Sequence, residues 1–315
     1  MTPEKDEWND AERDGELMQA WFEHHWISSM YAPRAAILQA RLANGAIASG
    51  LGCDRLMALS RCLGETAEFR AVAAATNAPG LVRSSSEFDG VAADPEPERA
   101  KRRALWEAHE RIAICHWWQG DIPARTLPDT WVSETGLALT LRRLRQGAYL
   151  LRRSAFWRLD YDADIAVVIC KSETRQGQEP ILGFGAATSV ADAARHACRE
   201  MLLMEVNLQG LVGSRAGITD LDVRPVERVI EAYQTHCPRL LDPSDPREPD
   251  EPEAAMPDHL GSEPSVNFDD LSIGDGRAVW ACRLPDAVYR SRDRGLAGPF
   301  MTRPAGSQEE EEDDG

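Results

Sequence analysis

The chain has 315 residues, 43% hydrophobic and 28% charged, enough for one large domain or two ordinary ones with a sizeable core. It has no run of about 18 apolar residues, and its first residues (MTPEKDEWNDAERDGE) are acidic, so neither a membrane span nor a secretion signal is expected. The formal charge is −17, but six acids stand in 309–314, and 242–258 holds seven acids against one Arg. The remainder is only mildly acidic, which disfavours nucleic-acid binding through a basic surface. Seven cysteines, odd in number and without a CxxC pair, are expected as reduced thiols in a cytoplasmic protein.

In chain order, residues 1–18 read as a flexible lead. The aromatic stretch that follows (MQAWFEHHWISSMYAPRAAILQARL) is expected to dock as a helix. A helix is expected over 54–74, then a loop with Asn77, Pro79 and Gly80. A second helix over 95–118 opens on Asp94-Pro95 and stops before Gly120 and Pro123. Residues 137–153 read as helix; 155–161, 165–171 and 181–185 read as strands. A third acidic helix over 188–208 opens on Ser189-Val190-Ala191-Asp192, a capping-box variant with Asp in place of Glu. A helix over 225–235 leads into a disordered acidic, proline-rich insert over 237–266, and 278–285 reads as a strand. Helices and strands mix without regular βαβ alternation. The predicted class is therefore α+β, as a single domain over 19–300 with a disordered acidic tail over 301–315.

Chemistry is expected from the three acidic helices. Glu65 and Glu68 stand three apart in the first; Glu107, Glu110 and Arg111 stand at i, i+3 and i+4 in the second; Glu200 lies among Met201, Leu202, Leu203 and Met204 in the third. Residues three or four apart share a helix face. Clustered carboxylates flanked by core residues need a cation, and a divalent metal on phosphates is the usual one. Arg111 also reads as an ion-pair partner of Glu107. Gly183 and Gly185 read as sites of close strand–helix packing rather than as a phosphate grip.

Three blocks in this order resemble the YcaO-domain family: GLGCDRLMALSRCLGETAEF, SSEFDGVAADPEPERAKRRALWEAHERIAICHWW and GFGAATSVADAARHACREMLLMEVNL. The AVWACRLP strand is similar to a late strand of that family. The resemblance implies ATP and Mg2+ as cofactors and a YcaO-like fold with mixed sheets and packed acidic helices. It implies Glu65, Glu68, Glu107, Glu110 and Glu200 as Mg2+ ligands, with Arg111 on phosphate. The implied activity is activation of peptide backbone amides in the biosynthesis of a ribosomally made, bacteriocin-like peptide, first by cyclodehydration of Cys, Ser or Thr to azolines. Thioamide formation is the alternative chemistry. Departures from the family pattern at Phe69, Arg99, His196 and Leu203 point to a further alternative, a silent peptide-binding scaffold subunit. The implied partners are a precursor peptide, a separate leader-peptide-binding protein (under fifty residues precede the first block) and a dehydrogenase or sulfur-handling companion. No nucleic acid or membrane partner is expected.

Overall fold

Trp21–Ile27 and Ala36–Leu42 form strands β1 and β2 in the computed structural model, which describes residues 14–76, 89–161, 164–218, 223–240 and 266–284. The helix expected across this stretch is therefore corrected to a hairpin-like pair. Pro33 interrupts any helix there, and Trp, Phe and Ile favour a pleated ladder. Asn44-Gly45, with Gly45 at φ 82°, turns β2 into β3 (Ile47–Gly52). The first acidic helix, α1, spans Arg55–Thr76.

Strand β4 (Gly90–Asp94) precedes α2 (Pro97–Gln119). The start of α2 lies later than expected: Asp94 ends the strand, its Oδ1 accepts from the Glu96 N–H at 3.1 Å, and Glu96-Pro97 begins the helix. Gly120 in the left-handed region closes it. Next come β5 (Ala124–Thr126), α3 (Asp129–Glu134) and α4 (Leu137–Arg145). The helix expected over 137–153 ends early. Gln146–Leu150 tighten into a 3-10 turn, and Arg152–Leu159 is already strand β6. Strands β7 (Ala166–Thr174) and β8 (Ile181–Ala187) lead into α5 (Val190–Arg215). Its cap is the expected one, Ser189 Oγ accepting from the Asp192 N–H at 3.1 Å. Helix α6 (Arg224–His236) runs on through a 3-10 turn, Cys237–Leu240, with Leu240 buried, so the chain is ordered four residues into the range predicted for the insert. Strands β9 (Asn267–Asp270) and β10 (Ala278–Arg283) follow. The first 13 residues, the loop with Asn77, Pro79 and Gly80, the insert beyond 240 and the acidic tail lie outside the described residues.

The strands form three antiparallel sheets, β1-β2-β3, β4-β10-β9 and β5-β6-β7-β8. This is the α+β class expected. Strands β3, β4 and β8 each stand at a sheet edge and each leads into one of the long acidic helices. Strand and helix press backbone to backbone. A Cβ on Gly90 would fall 2.1 Å from the Ala104 carbonyl oxygen, and one on Gly183 would fall 2.1 Å from Met201 N; Gly50 repeats the arrangement against Ala58. The packing role expected for Gly183 is thus seen. Gly183→Ala is expected to cost about 1–3 kcal/mol through overpacking. Gly147→Ala, where nothing lies within 4 Å, serves as the near-neutral control, and urea denaturation reads both.

A buried ion cluster ties α5 to the four-stranded sheet. Glu205, 0% exposed, accepts from Arg145 Nη2 at 2.9 Å and from Arg152 Nε at 3.0 Å, and the Ser172 hydroxyl donates to the same carboxylate. Two guanidiniums against one carboxylate leave a net positive charge inside the core. Arg145 Nε and Arg152 Nη1 are buried there without a hydrogen-bond partner.

Candidate active site

An edge strand leaves a row of N–H and C=O groups without a ladder partner. Here side chains of the acidic helices take that place. Glu65 of α1 accepts from the Ser49 N–H of β3 at 2.6 Å, and Glu107 of α2 accepts from the Val91 N–H of β4 at 3.0 Å. One helical turn earlier a basic side chain holds the carbonyl two residues further along the same strand. Arg61 donates to the Leu51 carbonyl, Arg103 Nη1 donates to the Ala93 carbonyl at 2.9 Å, and His196 Nδ1 lies 3.0 Å from the Ala186 carbonyl of β8. The acceptor there is a carbonyl, so Nδ1 carries the proton. In α5, Glu200 follows His196 at i+4, as Glu65 follows Arg61 and Glu107 follows Arg103. The site is thus built from three similar strand–helix units.

A second glutamate links each unit to the next. Glu68, three residues after Glu65, accepts from the Ala93 N–H of β4 at 2.8 Å. Glu110, three residues after Glu107, accepts from the backbone of Ala186 in β8. In α5 the equivalent position is Leu203, so the third unit has no such link.

These units enclose a cavity of about 990 Å3, lined by all six residues singled out from the sequence: Glu65, Glu68, Glu107, Glu110, Arg111 and Glu200. Burial, and next the charge of Glu107, push the Glu68 carboxyl up to about 8. Burial followed by Glu107 and Glu200 pushes Glu110 up to about 8 as well. Each would ionise readily only beside added positive charge. Arg111 donates to Glu107 while also facing the cavity, so the ion pair that the i,i+4 spacing allowed is formed. Glu107 in turn raises the pKa of the Arg111 guanidinium.

Sequence reasoning missed the cavity's other cations, Arg61, Arg99, Arg102, Arg103 and Arg199. The recurring basic residue four places before a glutamate was the signal that could have found two of them. Burial, and next the charge of Arg61, lower Arg199 to about 10. Burial followed by Arg199 holds His196 neutral, lowered to about 4. An aromatic wall adjoins this cationic group: the Arg102 guanidinium lies 5.8 Å from the Trp106 ring centre, and Trp106 lies 6.3 Å from His196.

Among the described residues no three His, Cys, Asp or Glu side chains close on one point as an all-protein metal cage. That arrangement suits Mg2+, which is usually held by one or two carboxylates, with phosphates and water completing its octahedron. Buried carboxyls raised by one another's charge, on a cavity wall that also carries guanidiniums, fit a magnesium–polyphosphate complex on both counts.

Comparison with known proteins gives the family and the fold. Residues 69–273 match the family model of the YcaO cyclodehydratase, described as ATP- and Mg2+-binding. No curated protein matches the sequence. Among solved structures, the YcaO protein of Methanopyrus kandleri, bound with AMPPCP and Mg2+, aligns at TM-score 0.56 and 17% identity over 95% of both chains. A heterocyclase in complex with substrate and cofactor aligns at 0.63 and 15% identity, over 86% of this chain and 52% of its own. The E. coli microcin synthetase McbBCD complex with pro-MccB17 bound aligns at 0.57 and 13%, over 86% and 89%. With the family model covering well over half of its length and the fold shared with these structures, the chain belongs to the YcaO family.

Proposed function

We propose that this chain uses ATP and Mg2+ to activate peptide backbone amides during maturation of a ribosomally made peptide, by cyclodehydration of Cys, Ser or Thr to azolines. The observation that carries this reading is the convergence of five glutamates from three helices on one cavity, where burial and neighbouring acids raise the Glu68 and Glu110 carboxyls to about 8. Glu65, Glu68, Glu107, Glu110 and Glu200 would hold Mg2+, and Arg111 would contact phosphate, with Arg61 and Arg199 lining the same cavity. When bound, Mg–ATP supplies a transferable phosphoryl group that turns an amide oxygen into a leaving group. The chain's own residues position and neutralise. The carboxylates fix the charge pattern, strand N–H and C=O contacts keep Glu65, Glu68, Glu107, Glu110 and Arg61 from turning away, and the guanidiniums offset anionic charge without giving up protons.

Supporting the reading, the microcin synthetase structure is a McbBCD complex with pro-MccB17 bound. We extend that arrangement here to a precursor peptide and a separate leader-binding partner. The test is phosphate release by purified chain with Mg–ATP, precursor and partner, read together with loss of one water mass per ring. Gain of sulfur in place of oxygen would assign thioamide formation instead.

Leu203, where the third unit lacks its second acid, favours a second reading: a peptide-holding subunit without turnover. Calorimetry separates the two. Micromolar Mg–ATP binding, lost in Arg199→Ala, is expected for the enzyme. Because Glu68 and Glu110 must ionise to meet a cation, binding at pH 7 is also expected to release protons, measured by repeating the titration in buffers of different ionisation heat. Peptide binding with no nucleotide binding would assign the scaffold role.

A further inference from the structure

The three strand–helix units differ in the side chain that holds the strand carbonyl. In α1 and α2 it is an arginine, which has N–H donors and no acceptor. In α5 it is His196, whose Nδ1 proton goes to the Ala186 carbonyl, leaving a lone pair at Nε2. That nitrogen has no hydrogen-bond partner among the described residues, and His196 lines the cavity. A Cβ on Gly185 would fall 2.7 Å from His196 Cβ, so the strand is bare where the imidazole seats. The other titratable groups lining the cavity are already committed. Its guanidiniums accept no proton, and the five glutamates are assigned to the cation. Asp94 faces Arg99 and Arg103, and burial pushes the Tyr233 phenol far up. His196 precedes Glu200 by one helical turn, about 5–6 Å between Cβ atoms, which sets its lone pair close to the proposed metal.

We propose that His196 is the general base of ring closure, taking at Nε2 the proton of the Cys, Ser or Thr side chain that attacks the peptide carbonyl. This rests on the reading above, with ATP as co-reactant. A bond forms from the side-chain sulfur or oxygen to the preceding carbonyl carbon. The S–H or O–H breaks to His196, and the carbonyl oxygen becomes an oxyanion. That oxygen takes the γ-phosphoryl group, releasing ADP. Its bond to carbon then breaks as the ring C=N forms; the amide proton passes to water, and phosphate leaves with the proton that His196 returns. The groups around the imidazole set when it can act. Burial, and next Arg199, hold His196 at about 4 in the ligand-free chain; Arg103 of α2 adds to this, while the Ala186 carbonyl and Asp192 on its own helix oppose it. Phosphate charge beside Arg199 and Arg103 offsets theirs and moves the imidazole towards neutral pH, where a general base is most effective. The base therefore gains strength once nucleotide is bound.

Two measurements on the full chain test this. In nitrogen NMR of isotope-labelled histidines, His196→Asn assigns the resonance among the seven. A bare Nε2 beside a protonated Nδ1 is expected at pH 7, and Mg–AMPPCP is expected to raise the pH at which Nε2 protonates. The second is the ring-forming assay with precursor, partner and Mg–ATP. His196→Asn keeps an N–H for Ala186 but has no Nε2, and is expected to slow water loss by about 10²–10⁴-fold, with Mg–AMPPCP affinity unchanged in calorimetry. His196→Arg, a cation without an acceptor, is expected to be as slow and gives the same reading should the Asn variant fold poorly. A proton on Nε2 at pH 7, a protonation midpoint that Mg–AMPPCP leaves in place, or rings formed at the wild-type rate by either variant overturns the proposal and leaves the reading above intact. So does a slower rate explained wholly by weaker Mg–AMPPCP binding. A wild-type chain that forms no ring overturns both.

Discussion

Glu110→Gln is expected to lower peptide-dependent phosphate release by about 10²–10³-fold, the loss typical of removing one preorganised electrostatic contact. The same substitution is expected to make the ligand-free chain more stable at pH 8. Glu68 and Glu110 both have carboxyls raised to about 8 by burial and neighbouring acids. A group raised in the folded state adds stability below its unfolded value, about 4.3, and loses it as pH climbs through the folded value. The ligand-free chain is therefore expected to melt at progressively lower temperature between about pH 5 and 9, and saturating Mg–ATP should reverse much of that fall. Gln carries no such charge, so Glu110→Gln should flatten the slope and raise the pH 8 melting temperature by about 2–4 °C, the shift that roughly 1 kcal/mol produces in a domain of this size. Activity and stability moving in opposite directions is the signature of an acid kept for function. Melting scans across pH, run beside the phosphate assay, read both quantities.

Glu205→Gln is expected to be among the most destabilising single changes in the described residues. Glu205 is fully buried between Arg145 and Arg152, which are 3% and 1% exposed at the side chain. Removing its charge strands two guanidiniums in the core, a loss of about 3–5 kcal/mol. Arg195→Ala breaks only the exposed Arg195–Asp192 pair on the same helix and is expected to cost about 0–1 kcal/mol. Denaturant midpoints compare the two. Helix α5 carries both Glu205 and Glu200, so loosening its anchor on β6 and β7 is also expected to weaken nucleotide binding. The cluster lies behind the cavity wall and acts on the site through the helix.

The long acidic helices were legible because their signals are local: Ser189 as a cap, Gly120 as a stop, glutamates at i and i+3. Their convergence was legible only as an expectation drawn from resemblance, since it depends on three sheet edges meeting. The N-terminal strands were misread because aromatic residues and short apolar runs fit either element. The hairpin was decided by Pro33, the turn at Asn44-Gly45 and pairing with a later strand. Strand β4, only five residues long, was unreadable for a related reason: Gly90, Ala92 and Ala93 carry little strand preference, and the segment is a strand because β10 pairs with it and two helices press on it. The cationic side of the cavity was overlooked because an arginine four places before a glutamate on a helix looks like a surface pair. In the fold, Arg61 and Arg103 reach back to strand carbonyls instead, a contact invisible in any one helix. The Arg145–Glu205–Arg152 cluster is not legible in the sequence because Glu205 lies 53 residues beyond the nearer arginine, on another element.

The account rests on a divalent cation held by acids from separate helices. Crystals soaked with Mn2+ and a non-hydrolysable ATP analogue, with data collected at the Mn absorption edge, test that directly. The expected result is anomalous density in the cavity at coordination distance from carboxylates of at least two of α1, α2 and α5, with Glu107 or Glu110 among them. Nucleotide bound elsewhere, or Mn2+ density with no contact to Glu68, Glu107, Glu110 or Glu200, would contradict it.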